Sequence, residues 1–331
     1  MSRSRRSSRR IALALLLASA PAWADETVEI KALRDPVDKS YRKMVQGMEL
    51  FDELHAMAPN ASLRYKLLPR KRDTNMDAIA LQIVGERFKA PVAVAADHTF
   101  TLARLQTALD EDAIVRSERK AQSMTWRAEI RTPGLPLDTR RLGDLRLECH
   151  VGIQAGLVSR YPSLIGRFFD LVMDAPDFCN RSYAPYLFFA ERPLFAVALR
   201  AGARREVLSV GQLYAGMAHG RTPKADLPHC DCEALLDRAY ILPLGDKSWP
   251  DDTRVEFEYM NAAASDAIVI GGSKADVAAA FGKAAIVRFD SGYEVWAYQS
   301  DRPEPPFGRS EFIVLFSPSG VVSNTRLRPA P

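Results

Sequence analysis

The chain has 331 residues, 47% of them apolar and 26% charged, which is enough to bury a large core and too mixed for a disordered or fibrous protein. Its formal charge of +4 rests on 45 basic and 41 acidic residues. Five arginines, Arg3, Arg5, Arg6, Arg9 and Arg10, sit at the very start; without them 40 basic residues face 41 acidic ones, a net of −1, and no positive surplus recommends nucleic acid as a partner.

Those arginines are followed by an apolar run from Ile11 to Ala20 and by Ala22-Trp23-Ala24, the pattern of a secretory signal peptide over 1–24. Ser8-Arg9-Arg10 partly matches a twin-arginine signal, so the general route is favoured and the twin-arginine route stays open. The apolar run is too short to span a membrane, and no transmembrane segment is expected. Asn60-Ala61-Ser62 and Asn180-Arg181-Ser182 would accept glycans in a eukaryotic pathway, but the arginine-rich, Ala/Leu-rich leader is of bacterial type. The mature protein is therefore placed in the periplasm.

Four further regions are expected. Over 25–62, Thr27–Leu33 alternates as a strand, and Tyr41, Met44, Val45, Met48, Phe51, Leu54 and Met57 fall at helical spacing, with Asp38 as cap and Pro59 after the end. Over 63–155 the period switches to two: LRYKLLPR, AIALQIV, APVAVAADHTFTL, MTWRAEIRT and DLRLECHVG are strand candidates separated by turns such as Thr132-Pro133-Gly134. In the last of them Cys149 points inward and His150 outward. Such spacing predicts a β-sandwich. Asp97–Leu102, DHTFTL, resembles the D-G-x-F-x-L turn of transthyretin-like, carboxypeptidase-regulatory sandwiches, with His98 in place of glycine.

Over 156–262, Leu164, Ile165, Phe168, Leu171 and Val172 fit a short helix, and alternating strands then resume through TRVEFEYM, with a helical piece at CEALLDRA. The four cysteines, Cys149, Cys179, Cys230 and Cys232, form an even set suited to disulfides in an exported protein. A direct Cys230–Cys232 bridge would be strained. Pairing Cys149 and Cys179 with that pair is the easier arrangement, in either of two connectivities. His219, His229, Cys230 and Cys232 also offer a metal reading, against which stands a spacing that is neither C-x2-C nor H-x3-H. Of the five histidines, none sits in an H-E-x-x-H motif, and no G-x-S-x-G, calcium loop or dinucleotide fingerprint occurs. Asp251-Asp252 in the loop GDKSWPDDT would suit calcium, though loop chemistry explains it more simply.

The last region, 263–331, opens with GGSKADVAAAFGK. Its Gly282-Lys283 lies at the wrong end of a helix for a phosphate loop. Ser273 and Asp276 instead make a capping box, and Gly282 a left-handed stop. Strand pairs turning at Asp290–Gly292 and at Ser317–Gly320 follow. Gly271, Ser273, Val277 and Gly282, then Trp296 and Tyr298, then Phe312, Phe316, Gly320 and Val321 together resemble the SmpA/OmlA, BamE-like outer-membrane-assembly family, with Ala284 where the family has proline. The resemblance implies a module of helices on a three-stranded antiparallel sheet, acting through protein contacts. Position 25 is aspartate rather than the family's lipidated cysteine, so no lipid anchor is expected.

The fold expected is α+β: a sandwich-rich body with few helices, then a BamE-like module. The function expected is a non-enzymatic envelope protein, associated with the outer membrane or not, that binds an envelope protein or a cell-wall or outer-membrane component, with no cofactor. Trp296, Tyr298 and Phe312 would pack the module's core or present a binding face. The alternatives are a hydrolase or metal enzyme at His219, His229, Cys230 and Cys232, and a protease or β-lactamase inhibitor.

Overall fold

The computed structural model describes residues 38–71, 73–119, 123–158, 177–181, 184–219, 233–261, 271–299 and 310–329. All of them belong to one compact unit, Asp35–Pro331. The expected leader, the strand Thr27–Leu33 and the helix around Leu164–Val172 lie outside the described residues. Among the described residues the architecture is mixed, with several small antiparallel sheets and few helices.

Strand β1 (Lys39–Ser40) leads into helix α1 (Tyr41–Glu53). Tyr41, Met44, Val45 and Phe51 are buried, as the helical spacing predicts. The cap differs: Ser40 accepts from the Lys43 amide at 3.4 Å, while Asp38 pairs with Arg116 at 3.0 Å instead of capping. Next come β2 (Ser62–Pro69), β3 (Leu81–Val84), β4 (Lys89–Val92), β5 (Thr99–Phe100), the short α2 (Gln106–Asp110), β6 (Ile114–Ser117) and β7 (Met124–Arg131). They make two antiparallel sheets, β1-β6-β3-β4 and β5-β2-β7.

After β8 (Thr139–Arg141) the chain departs from expectation: the segment read as a strand is helix α3 (Leu142–Gln154). The reason is burial on every side. Leu142, Leu145 and Cys149 face one core, and Leu147, Val151 and Ala155 a second. A helix wedged between two cores, with Asp144, Arg146 and Glu148 buried as well, has no solvated face to reveal its period. Gly47 of α1 lets the two helices close up, since a Cβ there would sit 2.8 Å from the Ala155 Cβ. Cys149 is buried and His150 partly so.

β9 (Phe188–Phe189), β10 (Leu194–Ala201), β11 (Arg204–Val207), β12 (Ala239–Tyr240) and β13 (Arg254–Tyr259) follow, giving the antiparallel sheets β11-β10-β13-β8 and β12-β9. Much of the remaining stretch, including Glu233–Arg238, is 3-10 turn. Arg146 of α3 holds the loop before β13, donating to the carbonyls of Leu244 and Asp246 and pairing with Asp251 at 2.5 Å. That guanidinium is the cation that Asp251 meets.

The chain closes with α4 (Lys274–Phe281), β14 (Ala285–Arg288), β15 (Glu294–Gln299), β16 (Ser310–Phe316) and β17 (Val322–Pro329). The sheet is a meander of four strands, where the resemblance implies three. Alternation divides its faces: Val287, Val295, Ala297, Ile313 and Leu315 join the main core, and Val277, Trp296, Tyr298, Val314, Phe316 and Val322 form a separate cluster under α4.

Residue His98 adopts the left-handed conformation, φ 61°, which suits the glycine of the turn that this stretch resembles. Asp97 fixes the turn by accepting from the Thr99 amide and hydroxyl. Since a side chain costs roughly 1 kcal/mol there, His98→Gly is expected to leave stability equal or up to about 1 kcal/mol higher. Urea unfolding checks this, and a loss would contradict it.

Candidate functional site

The residues singled out in the terminal region converge on one small αβ unit. Gly271, at φ 87°, donates its amide to the Val322 carbonyl and so brings the Gly-Gly-Ser stretch beside the start of β17. Ser273 caps α4, and the Asp276 carboxylate accepts from the Ser273 amide at 2.9 Å and hydroxyl at 2.7 Å. These bonds hold the Asp276 carboxyl below the usual carboxylate range. The helix start is thus occupied by the protein's own carboxylate. Gly282, at φ 74°, ends the helix, and Gly320, at φ 82°, completes the turn from Ser317.

Val277 reaches from α4 onto Trp296 and Phe316, whose rings lie 4.8 Å apart. Glu294 receives hydrogen bonds from Lys274 at 2.7 Å and from the Trp296 indole at 3.1 Å. Partial burial works to raise the Glu294 carboxyl, but those bonds and the charges of Lys274 and Arg288 outweigh it and hold the carboxyl low. Past the end of α4 the outer face continues as apolar surface. Phe281 packs on Tyr298 and Phe312, at 5.5 and 5.0 Å, yet stays 44% exposed. Ile286, opposite Trp296, is 39% exposed, and Leu327, opposite Phe312, is 66% exposed. An apolar band therefore runs across the sheet from one edge strand to the other. Beneath it the Tyr298 hydroxyl is buried without a hydrogen-bond partner, and burial pushes its phenol up.

The cysteines are arranged otherwise than expected. Cys149 of α3 is bonded to Cys179 in the turn Phe178–Asn180, with Cα atoms 6.1 Å apart. Neither is then available to Cys230 or Cys232. His229, Cys230 and Cys232 lie outside the described residues, as does the side chain of His219. Among the described residues no group of three His, Cys, Asp or Glu side chains is placed to hold a metal. His150 is held neutral to lower pH than usual, first by burial and then by Lys247 nearby. No helix among the described residues is long and apolar enough to cross a membrane.

Sequence reasoning missed a charged layer between the two large cores. On β2 and β7 the residues facing away from the apolar core are Arg64 and Lys66, opposite Glu129 and Arg127. Lys66 and Arg131 both bind Glu191, at 2.7 and 2.8 Å, and Arg131 binds Glu129 at 2.6 Å. Deeper in, Arg140 of β8 donates to Glu148 of α3 at 2.8 Å and to the Ile130 carbonyl at 2.7 Å. Burial pushes the Glu148 carboxyl up despite Arg140. For Glu129 burial is again the largest influence, but Arg140, Lys66 and Arg131 together overcome it and draw the carboxyl down. Beside this layer opens a cleft of about 510 Å³ bordered by Arg64, Arg131, Arg140, Asp144 and the turn Thr132–Leu137. Its one sequence signal is the repeated charge on the outward face of two neighbouring strands.

No family model matches this chain, and neither does any curated protein or solved structure.

Proposed function

We propose that this chain is a non-enzymatic, exported protein of the cell envelope, a sandwich-like β-rich body carrying a BamE-like terminal unit that binds a protein partner or envelope component. The observation that carries the reading is the apolar band of Phe281, Ile286 and Leu327 on the outer face of the terminal sheet. Exposed apolar surface backed by aromatic rings is the usual centre of a protein contact. The other face of the same sheet is spent on the body's core, so the outer face is the one left for a partner. A leader of secretory type and a disulfide both suit an oxidising compartment such as the periplasm.

Capture from envelope extract with the full mature chain tests this. Wild type is expected to retain a partner that Phe281→Asp and Leu327→Asp each weaken by about tenfold or more, with unchanged thermal unfolding. Equal capture by both variants, or no partner for wild type, overturns it. The metal-enzyme reading at His219, His229, Cys230 and Cys232 is separated by metal analysis and a thiol count: bound zinc with reduced thiols would replace the present reading.

A further inference from the structure

Three arginines meet at the cleft beside β2, β7 and β8, and each spends only part of its hydrogen-bonding fork on the protein. Arg64 uses Nη1 alone, to Asp97 and Thr99. Arg131 uses Nε and Nη2, to Glu129 and Glu191. Arg140, 5% exposed, uses Nη2 alone, and its Nε is buried with no partner. That Nε is sealed from solvent, so the donors open to the cleft are those of Arg64 and Arg131, while Arg140 backs them with its charge. The carboxylate on this wall is held by the neighbouring turn. Asp144 already has one oxygen on the Thr132 amide and the other on the Thr132 hydroxyl, each at 2.8 Å.

We propose that this cleft binds a small organic carboxylate bearing an apolar group. Guanidinium forks match a carboxylate in shape, and the partly exposed Arg64 and Arg131 border the same cleft with donors left over, Nη2 on the first and Nη1 on the second. The choice of a single negative charge over a phosphate follows from the surroundings. Six cations, Arg64, Lys66, Arg127, Arg131, Arg140 and Arg141, stand among five acids, Asp97, Glu129, Asp144, Glu148 and Glu191, an excess of one positive charge. An excess of one charge balances a single carboxylate and falls short of the field that a dianion needs. The apolar group has its own wall in Pro133, Leu135, Pro136 and Leu137, the last 84% exposed at the rim. The volume of about 510 Å³ is that of a small-ligand site. Such a ligand would be either a free short-chain acid or the carboxyl end of a peptide with an apolar last residue. This site is separate from the outer face of the terminal sheet, so either proposal can fail alone.

Calorimetric titration of the full mature chain decides it, with hexanoate as the free acid, N-acetyl-leucine as the peptide end, and N-acetyl-leucine amide and inorganic phosphate as controls. One of the two carboxylates is expected to bind at about millimolar Kd or tighter, and which of them binds better names the source. The amide should bind at least tenfold more weakly. Arg64→Gln and Leu137→Ser, both at the exposed rim, should each weaken binding by about three- to tenfold while thermal unfolding stays unchanged. No binding of either acid at ~10 mM, phosphate binding as tightly as the acids, or binding indifferent to both substitutions overturns the proposal.

Discussion

Arg140→Ala is expected to lower the unfolding free energy by about 3–5 kcal/mol, because it strands buried charge rather than merely removing a contact. Arg140 is the cation that Glu148 and Glu129 share, and both carboxylates are buried. Without it Glu148 keeps only a 3.3 Å hydrogen bond from the Ile130 amide, and the two acids repel across the gap. The Glu148 carboxyl, already pushed up by burial, must then rise further, and Glu129, still held by Lys66 and Arg131, rises from its lowered position. A carboxyl raised in this way favours the folded state when protonated, so the loss against wild type should be greatest near pH 7 and shrink as pH falls toward 4. The double change Arg140→Met, Glu148→Leu removes the stranded partner and should recover much of the loss. Urea unfolding of the single and double variants at the two pH values checks all three statements. A single-variant loss below about 1 kcal/mol would mean that the layer is wetter than its burial implies.

This charged layer also accounts for what the sequence concealed. Helix α1 was legible because its outer face meets water, leaving Met44, Val45 and Phe51 to mark the inner one. The α4 boundaries were legible because caps are local: Ser273, Asp276 and Gly282 act on their own neighbours. The hairpin turns at Asp290–Gly292 and Ser317–Gly320 are local in the same sense. Helix α3 was not legible. Arg146 and Glu148 alternate with Leu145, Leu147 and Cys149 as in a half-exposed strand, yet both charges are buried. Their partners, Asp251 and Arg140, come from elsewhere in the chain, and a local pattern cannot announce a distant partner. The cleft is hidden for the same cause, since β2, β7 and β8 supply one arginine each. Cysteine pairing is likewise a matter of which segments meet.

Breaking the Cys149–Cys179 bond is expected to cost about 3–4 kcal/mol, the loop-closure value for a cross-link across 30 residues. Cys149 sits on the face of α3 turned to the main core, and Cys179 lies in a turn against that core beside Phe178. The bond thus fastens the helix between the two large cores to the segment that leads on to β9 and β10. Both cysteines are buried, so Cys149→Ala also forfeits some packing, and the single variants should lose slightly more than chemical reduction of wild type does. The double variant Cys149→Ala, Cys179→Ala should cost only slightly more than the larger single loss, because the bond can be lost only once and just the second side chain's packing is added. That lack of additivity is the decisive reading in chemical unfolding. If each cysteine were instead joined to Cys230 or Cys232, the two single losses would arise from separate bonds and would sum in the double variant. Peptide mapping of the oxidised protein gives the same answer directly: one cross-linked fragment should contain Cys149 and Cys179 together, and a fragment joining either to Cys230 or Cys232 would overturn the pairing.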